Sequence, residues 1–204
     1  MTFTQNSFTF AAGEYLLRLQ NCFSAEVLSA VENLAQELRL AWIEGRHVYI
    51  CGNGGSAANS MHMANDFHYG IGACGPGPSL PGLRVEALPA NAGIITCLAN
   101  DTSYANIYSH QLQVKGRPGD LLIVLSGSGN SANVVQALET AKALGLKTFA
   151  ILAFSGGRCL ELAEVPIHFA IDDMQIAEDT QLVVGHLCMQ WLNSNKPTEL
   201  NPLR

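Results

Sequence analysis

Cys51-Gly-Asn-Gly-Gly-Ser56 follows the apolar run His47-Val-Tyr-Ile50, and Ser126-Gly-Ser-Gly-Asn-Ser131 follows Leu121-Leu-Ile-Val-Leu125. Each loop then enters a stretch with helical spacing. A strand, a glycine turn and a helix N-terminus together make an anion site. Glycines let backbone N–H groups approach the ligand, the helix end adds partial positive charge, and serine hydroxyls supply further donors. Two such loops in one chain predict an α/β fold. They predict a phosphorylated small molecule at the carboxyl edge of a parallel sheet.

Working outward, residues 8–44 read as two helices. The second starts at Ser24, a good cap with Glu26 in the first turn, and carries the stripe Val27, Leu28, Val31, Leu34, Leu38 and Trp42. Strands are expected near 47–51, 84–88, 121–125, 147–152 and 166–170. Helices are expected near 56–68, 103–112, 131–144, 157–163 and 174–193. The alternation implies right-handed βαβ crossovers and a five-stranded parallel sheet covered on both faces. The chain reads as one domain: helices to residue 45, an α/β core over 46–193, and a frayed tail over 194–204. The Gly/Pro-rich stretch from Gly70 to Gly82 reads either as a mobile lid beside the first loop or as a surface connection.

A chain of 204 residues is long enough to bury a real core. Only 14% of it is charged against 48% hydrophobic, so burial between subunits is expected. The net charge of −6 and the lack of any Lys/Arg run argue against nucleic acid as a partner. Six cysteines without a CxxC pair read as buried, reduced thiols of a cytoplasmic protein. Met1-Thr-Phe-Thr-Gln-Asn6 lacks the pattern of a signal peptide, and no apolar run approaches membrane-spanning length.

Gly52-x-Gly54-x-x-Ala57 nominally matches a dinucleotide fingerprint. The acidic residue expected about 20 positions on is missing, because Glu86 lies later and within a strand. No GxxxxGK[ST] occurs, so a nucleotide triphosphate is not indicated. His62 and Asp66 stand four apart on one helix face, where they could hold a metal, share a proton or form a solvated stripe. The last helix sets Glu178, Asp179, Gln181 and His186 in an apolar segment. A histidine there is a core residue, a functional one, or both.

Four motifs in order resemble the sugar isomerase (SIS) domain of phosphoheptose isomerases. They are Gly52-Asn-Gly-Gly-Ser56 with His62 and an acid four residues on, Asn100-Asp101, Ser126 to Val134, and Glu178 to His186. The likeness spans nearly the whole chain. It implies a Rossmann-like three-layer SIS fold with an N-terminal helical pair used in oligomerisation. It also implies conversion of D-sedoheptulose 7-phosphate to D-glycero-D-manno-heptose 7-phosphate for surface-heptose synthesis, such as lipopolysaccharide or capsule precursors. A cytoplasmic homotetramer is implied, with one zinc per site between subunits. By the same resemblance Ser126, Gly127, Ser128 and Ser131 cradle phosphate. Asn53, Gly54, Gly55, Ser56, Asn100 and Asp101 contact the substrate, as do Asp66 and Glu178. His62, Asp66, Glu178 and His186 fall at the zinc ligands, with Asp66, Glu178 and His186 as the catalytic groups.

Two positions depart from the commoner pattern: Asp66 where Glu is expected, and Glu178 where Gln is expected. Asp is one methylene shorter, so its carboxylate reaches a metal more readily than a substrate carbon. Glu178 restores reach and charge and is expected to share or take over the base role. Glu178 and His186 are eight positions apart, about 12 Å along an unbroken helix. Either the helix begins after Glu178, or different subunits contribute to one site. A rival reading is a non-catalytic relative that binds the replication initiator. It has no need for four metal-competent groups at these positions. An isomerase or sensor for another sugar phosphate would carry the same phosphate loop.

Overall fold

The computed structural model describes residues 7–201, so the reading of Met1 to Asn6 lies outside the described residues. The order is α1 (Phe8–Asn21), α2 (Ala25–Glu44), β1 (His47–Gly52), α3 (Gly55–Asn65), a π-helical turn (Asp66–Gly70), α4 (Ile71–Ala73) and β2 (Arg84–Ala87). Then follow α5 (Ala92–Asp101), α6 (Ser109–Lys115), β3 (Leu121–Ser126), α7 (Ala132–Ala143), β4 (Lys147–Leu152), α8 (Gly157–Leu162), β5 (Val165–His168) and α9 (Met174–Ser194). Serine caps open both N-terminal helices: Ser7 Oγ accepts from the Phe10 amide and Ser24 Oγ from the Val27 amide.

The five strands are all parallel and ordered β2-β1-β3-β4-β5. Every residue of β3 is buried, as expected for a central strand covered on both sides. Successive side chains point to opposite faces and so divide the interior into two cores. Val48, Ile50, Ile123, Phe149 and Ile151 face α2, α3 and α9. Tyr49, Cys51, Leu122, Val124 and Ala150 face α5, α6, α7 and α8. This is the expected three-layer α/β architecture. The strand order reverses between β1 and β3, and the two glycine loops leave those two strands. A crevice opens outside the carboxyl ends at such a switch point, so the topology sets both loops beside one opening.

Four expectations are corrected. A single helix over 103–112 does not form; α5 precedes it, a 3₁₀ turn covers Tyr104–Asn106, and α6 follows. The stretch Ala92-Gly-Ile-Ile-Thr is poor in helix formers, yet the Asn91 side chain caps it by accepting from the Ile94 amide at 3.1 Å. The Gly/Pro-rich stretch is no lid on the first loop. It leads into the amino end of β2, at the edge of the sheet opposite the glycine loops, and Trp42 Nε1 donates to its Pro81 carbonyl at 2.8 Å. The tail is anchored as far as it is described. The Asn201 amide donates to the Ile43 carbonyl at 2.8 Å, Lys196 Nζ to the Gly72 carbonyl at 3.1 Å, and Leu200 packs on the core. Only Cys51, Cys159 and Cys188 are buried, whereas Cys74 and Cys97 are exposed. Among the described residues no helix is long and apolar enough to cross a membrane.

Candidate active site

A pocket of about 300 Å³ lies between the two glycine loops, lined by Asn53–Ser56, Leu125–Ser128, Ser131, Met174 and Glu178. The serine loop is organised from within. Ser126 Oγ accepts from the Gly129 amide at 3.0 Å, and Ser128 Oγ accepts from the Asn130 amide at 3.3 Å. A hydroxyl that accepts from its own loop still has its proton to give. Both serines are therefore pre-set as donors to an anion. Ser131 precedes α7, and its side chain makes no cap bond.

Asn130 ties this loop to the turn after β4. Its side chain donates to the Ser128 carbonyl at 3.2 Å and accepts from the Arg158 amide at 3.0 Å. Gly129 has φ of +66°, and a Cβ there would meet the Gly156 carbonyl oxygen at 1.9 Å. Only glycine fits. Among the described residues no Lys or Arg lines the pocket, and its one charged side chain is Glu178.

Glu178 sits in the first turns of α9, with its carboxyl group against Gly55. A Cβ on Gly55 would lie 2.2–2.6 Å from the carboxyl atoms. A polar ladder locks α9 onto α3 at this level. Asn59 Nδ2 donates to the Glu178 carbonyl and to Gln181 Oε1, both at 3.0 Å, and Gln181 Nε2 donates to Ser56 Oγ at 3.0 Å. Helix α1 reaches the same end of α9. Tyr15 donates to Asp179 Oδ2 at 2.6 Å and Arg18 pairs with Asp173 at 2.7 Å. Burial, then the bond to Asp179, pushes the Tyr15 hydroxyl up to about 12.

His62, Asp66 and His186 form a second cluster. The two histidine Nε2 atoms are 3.0 Å apart, and each faces Asp66 Oδ2, at 3.4 Å from His62 and 3.6 Å from His186. Donors held tetrahedrally about 2.0–2.1 Å from a zinc ion stand about 3.3–3.4 Å from one another. The triangle thus fits a single divalent ion, and two imidazoles with one carboxylate are suitable ligands. Asp66 opens the π-helical turn, a local widening that recurs at functional sites. His62 and His186 are about half exposed, so the cluster opens to solvent on one side.

Glu178 is not brought to this cluster. Helix α9 is continuous from Met174, which removes the option of a helix starting after Glu178. Asn100 and Asp101 end α5 outside the lining of the pocket. Asn100 Nδ2 donates to Asp101 Oδ1 at 2.7 Å, and Cys97 Sγ donates to Asp101 Oδ2 at 3.4 Å. These two bonds, Asn100 first, hold the Asp101 carboxyl below its usual range.

Sequence reasoning missed Asn59, Tyr104 and Asn133. Asn133 lies in the quoted serine motif, but a role for a buried amide appears only once its partner is known. It exchanges two bonds with Asn53, at 2.9 and 2.8 Å, and Tyr104 donates to Asn53 Oδ1 at 3.0 Å.

Residues 13–153 match the SIS domain family model. The phosphoheptose isomerase of Akkermansia muciniphila is 36% identical over 165 residues, covering 80% of this chain and 84% of that protein. That of Desulfovibrio desulfuricans is 33% identical over 175 residues, covering 85% and 80%. The solved phosphoheptose isomerase of Francisella tularensis superposes with a TM-score of 0.82 at 21% identity, over 94% of this chain and all of that one, which shows a shared fold. With a SIS model matched over most of its length and relatives above 30% identity, this chain belongs to the phosphoheptose isomerase family of SIS-domain proteins.

Proposed function

We propose that this chain is a sugar-phosphate isomerase that interconverts D-sedoheptulose 7-phosphate and D-glycero-D-manno-heptose 7-phosphate in the cytoplasm. The observation that carries the reading is the pairing of a donor-rich serine loop with a separate His62–Asp66–His186 cluster. One binds the unreactive end of a sugar phosphate, and the other serves its reacting end. Ser126, Ser128, Ser131 and the Gly127 backbone hold the phosphate, with Asn53 to Ser56 along the sugar. Binding energy gathered at the phosphate orients the distant carbonyl.

Aldose–ketose isomerisation moves a proton between C1 and C2 through an enediol(ate). A carboxylate removes the proton from the carbon beside the carbonyl and returns it to the neighbouring carbon, while a second group shuttles the oxygen-bound proton. Asp66 and Glu178 are the candidate carboxylates, and His186 is the second group. Asp66 is engaged with both histidines, so the longer Glu178 is assigned the base role. His62, Asp66 and His186 would hold a zinc ion, which supplies polarisation of the carbonyl when bound. Glu178 completes that set only from another subunit, in keeping with a homotetramer whose sites lie between chains. Helix α1, with no buried residue and with Phe8, Leu16 and Leu17 exposed, supports a role for the N-terminal helices in assembly.

The test is an isomerase assay on sedoheptulose 7-phosphate before and after chelation, with zinc added back. Turnover lost to chelator and restored by zinc is expected. No turnover from folded, zinc-loaded protein rejects the assignment in favour of another sugar phosphate or a binding role. The division of labour between the carboxylates fails if Glu178→Gln keeps full turnover while Asp66→Asn abolishes it.

A further inference from the structure

We propose that Tyr104 and Asn133 are positioning residues that fix the Asn53 side chain as a single-proton donor aimed at the substrate. This rests on the isomerase reading above and adds to it the oxygen that Asn53 serves. The argument is one of hydrogen-bond capacity. A side-chain amide has an oxygen that accepts two bonds and a nitrogen that donates two. Asn53 Oδ1 accepts from Asn133 Nδ2 at 2.8 Å and from the Tyr104 hydroxyl at 3.0 Å, which fills it. Asn53 Nδ2 gives one proton to Asn133 Oδ1 at 2.9 Å. Its second proton has no partner among the described residues, and Asn53 lines the pocket between the glycine loops. The residue can therefore offer substrate one donor and no acceptor.

The two partners have different tasks. Asn133 is 2% exposed and sits on α7, directly after the serine loop. It clamps the first glycine loop to the second. The Tyr104 hydroxyl gives Asn53 Oδ1 its second bond, which leaves that oxygen no capacity for substrate. A fixed donor is well suited to an oxygen that gains negative charge. When the base takes the carbon-bound proton, the neighbouring carbonyl oxygen becomes an enediolate oxygen, and the proton later returns to the adjacent carbon. Asn53 keeps its own proton throughout and lowers the energy of the charged intermediate, an effect worth about 10²–10³ in rate where such donors have been removed.

Tyr104 is 56% exposed, so Tyr104→Phe removes one hydroxyl without opening the core. The experiment is a double-mutant cycle with Asn53→Ala, read as kcat and KM for sedoheptulose 7-phosphate and as thermal midpoint. Tyr104→Phe is expected to lower kcat about tenfold, with KM within about twofold. The thermal midpoint should be unchanged. In the Asn53→Ala background it should do nothing further. Asn133→Asp, which still accepts but no longer donates, should lower kcat in the same direction. An active wild type in which Tyr104→Phe has its full effect without Asn53 overturns the inference alone and makes Tyr104 a direct substrate contact. A wild type that neither turns over the substrate nor binds a sugar-phosphate hydroxamate, which mimics the enediolate, overturns the isomerase reading and the inference with it.

Discussion

The serine loop and the His62–Asp66–His186 cluster are built on opposite plans. The loop is made chiefly of backbone. Its donors come from residues within six positions of one another, its serines are pre-oriented by its own amides, and Gly129 is pressed against the neighbouring turn. The cluster is made of side chains alone. It joins residues 124 positions apart, its histidines are half exposed, and the fourth group expected beside it, Glu178, is held against Gly55 in the other region. The donors of the serine loop all come from one short segment of one chain, whereas the cluster is left open on one side to whatever packs beside it. A rigid loop beside an open side-chain cluster is a frame on which the open part can change while the loop is kept.

This contrast can be broken from either side. The largest effect is expected in the cluster. Asp66→Asn or His186→Ala should cut turnover at least about 100-fold. Either should also abolish stoichiometric binding of a divalent metal, measured by elemental analysis, while inorganic phosphate still binds. Equal loss of phosphate binding would mean that the two regions are not separable. Next comes Gly129→Ala, which strains the backbone at a positive φ and collides with Gly156. A loss of about 1–3 kcal/mol in urea unfolding is expected, together with loss of phosphate binding. Unchanged stability would show that the loop is softer than its contacts imply.

Ser128→Ala removes one donor to a charged group and should raise KM about tenfold with kcat within about twofold. A fall in kcat instead would place this loop at the reacting end. Gly55→Ala is subtler. Its Cβ can be accommodated by displacing the flexible end of Glu178, so stability should stay within about 0.5 kcal/mol while kcat drops. Unchanged kcat would separate Glu178 from the chemistry. The smallest effect concerns thiols. Burial pushes the Cys51, Cys159 and Cys188 thiols up, so they should resist alkylation until the chain unfolds. Cys97 is held protonated by its bond to Asp101 and should label more slowly than Cys74 at neutral pH. Asp101→Asn should speed it.

What the sequence by itself determined is whatever a few consecutive residues can settle. An apolar run, a glycine turn and a capped helix dictate a local backbone path, so both glycine loops and the crossover helices α3, α7 and α8 were legible. The i,i+4 spacing of His62 and Asp66 placed them on one helix face for the same reason. Helix α5 was not legible, because Gly93 and its β-branched neighbours are poor helix formers and a single asparagine cap outweighs them. Only the tertiary structure decided the strand order that sets the loops on either side of one crevice, the meeting of His186 with His62, and the reciprocal bonds between Asn53 and Asn133. It also decided where Glu178 goes: the spacing along α9 separates it from His186, but its contact with Gly55 depends on how α9 packs against α3. These are pairings between residues 80 or more positions apart. Their energy depends on how whole layers close over the sheet, and nothing in the chemistry of either short segment names the other.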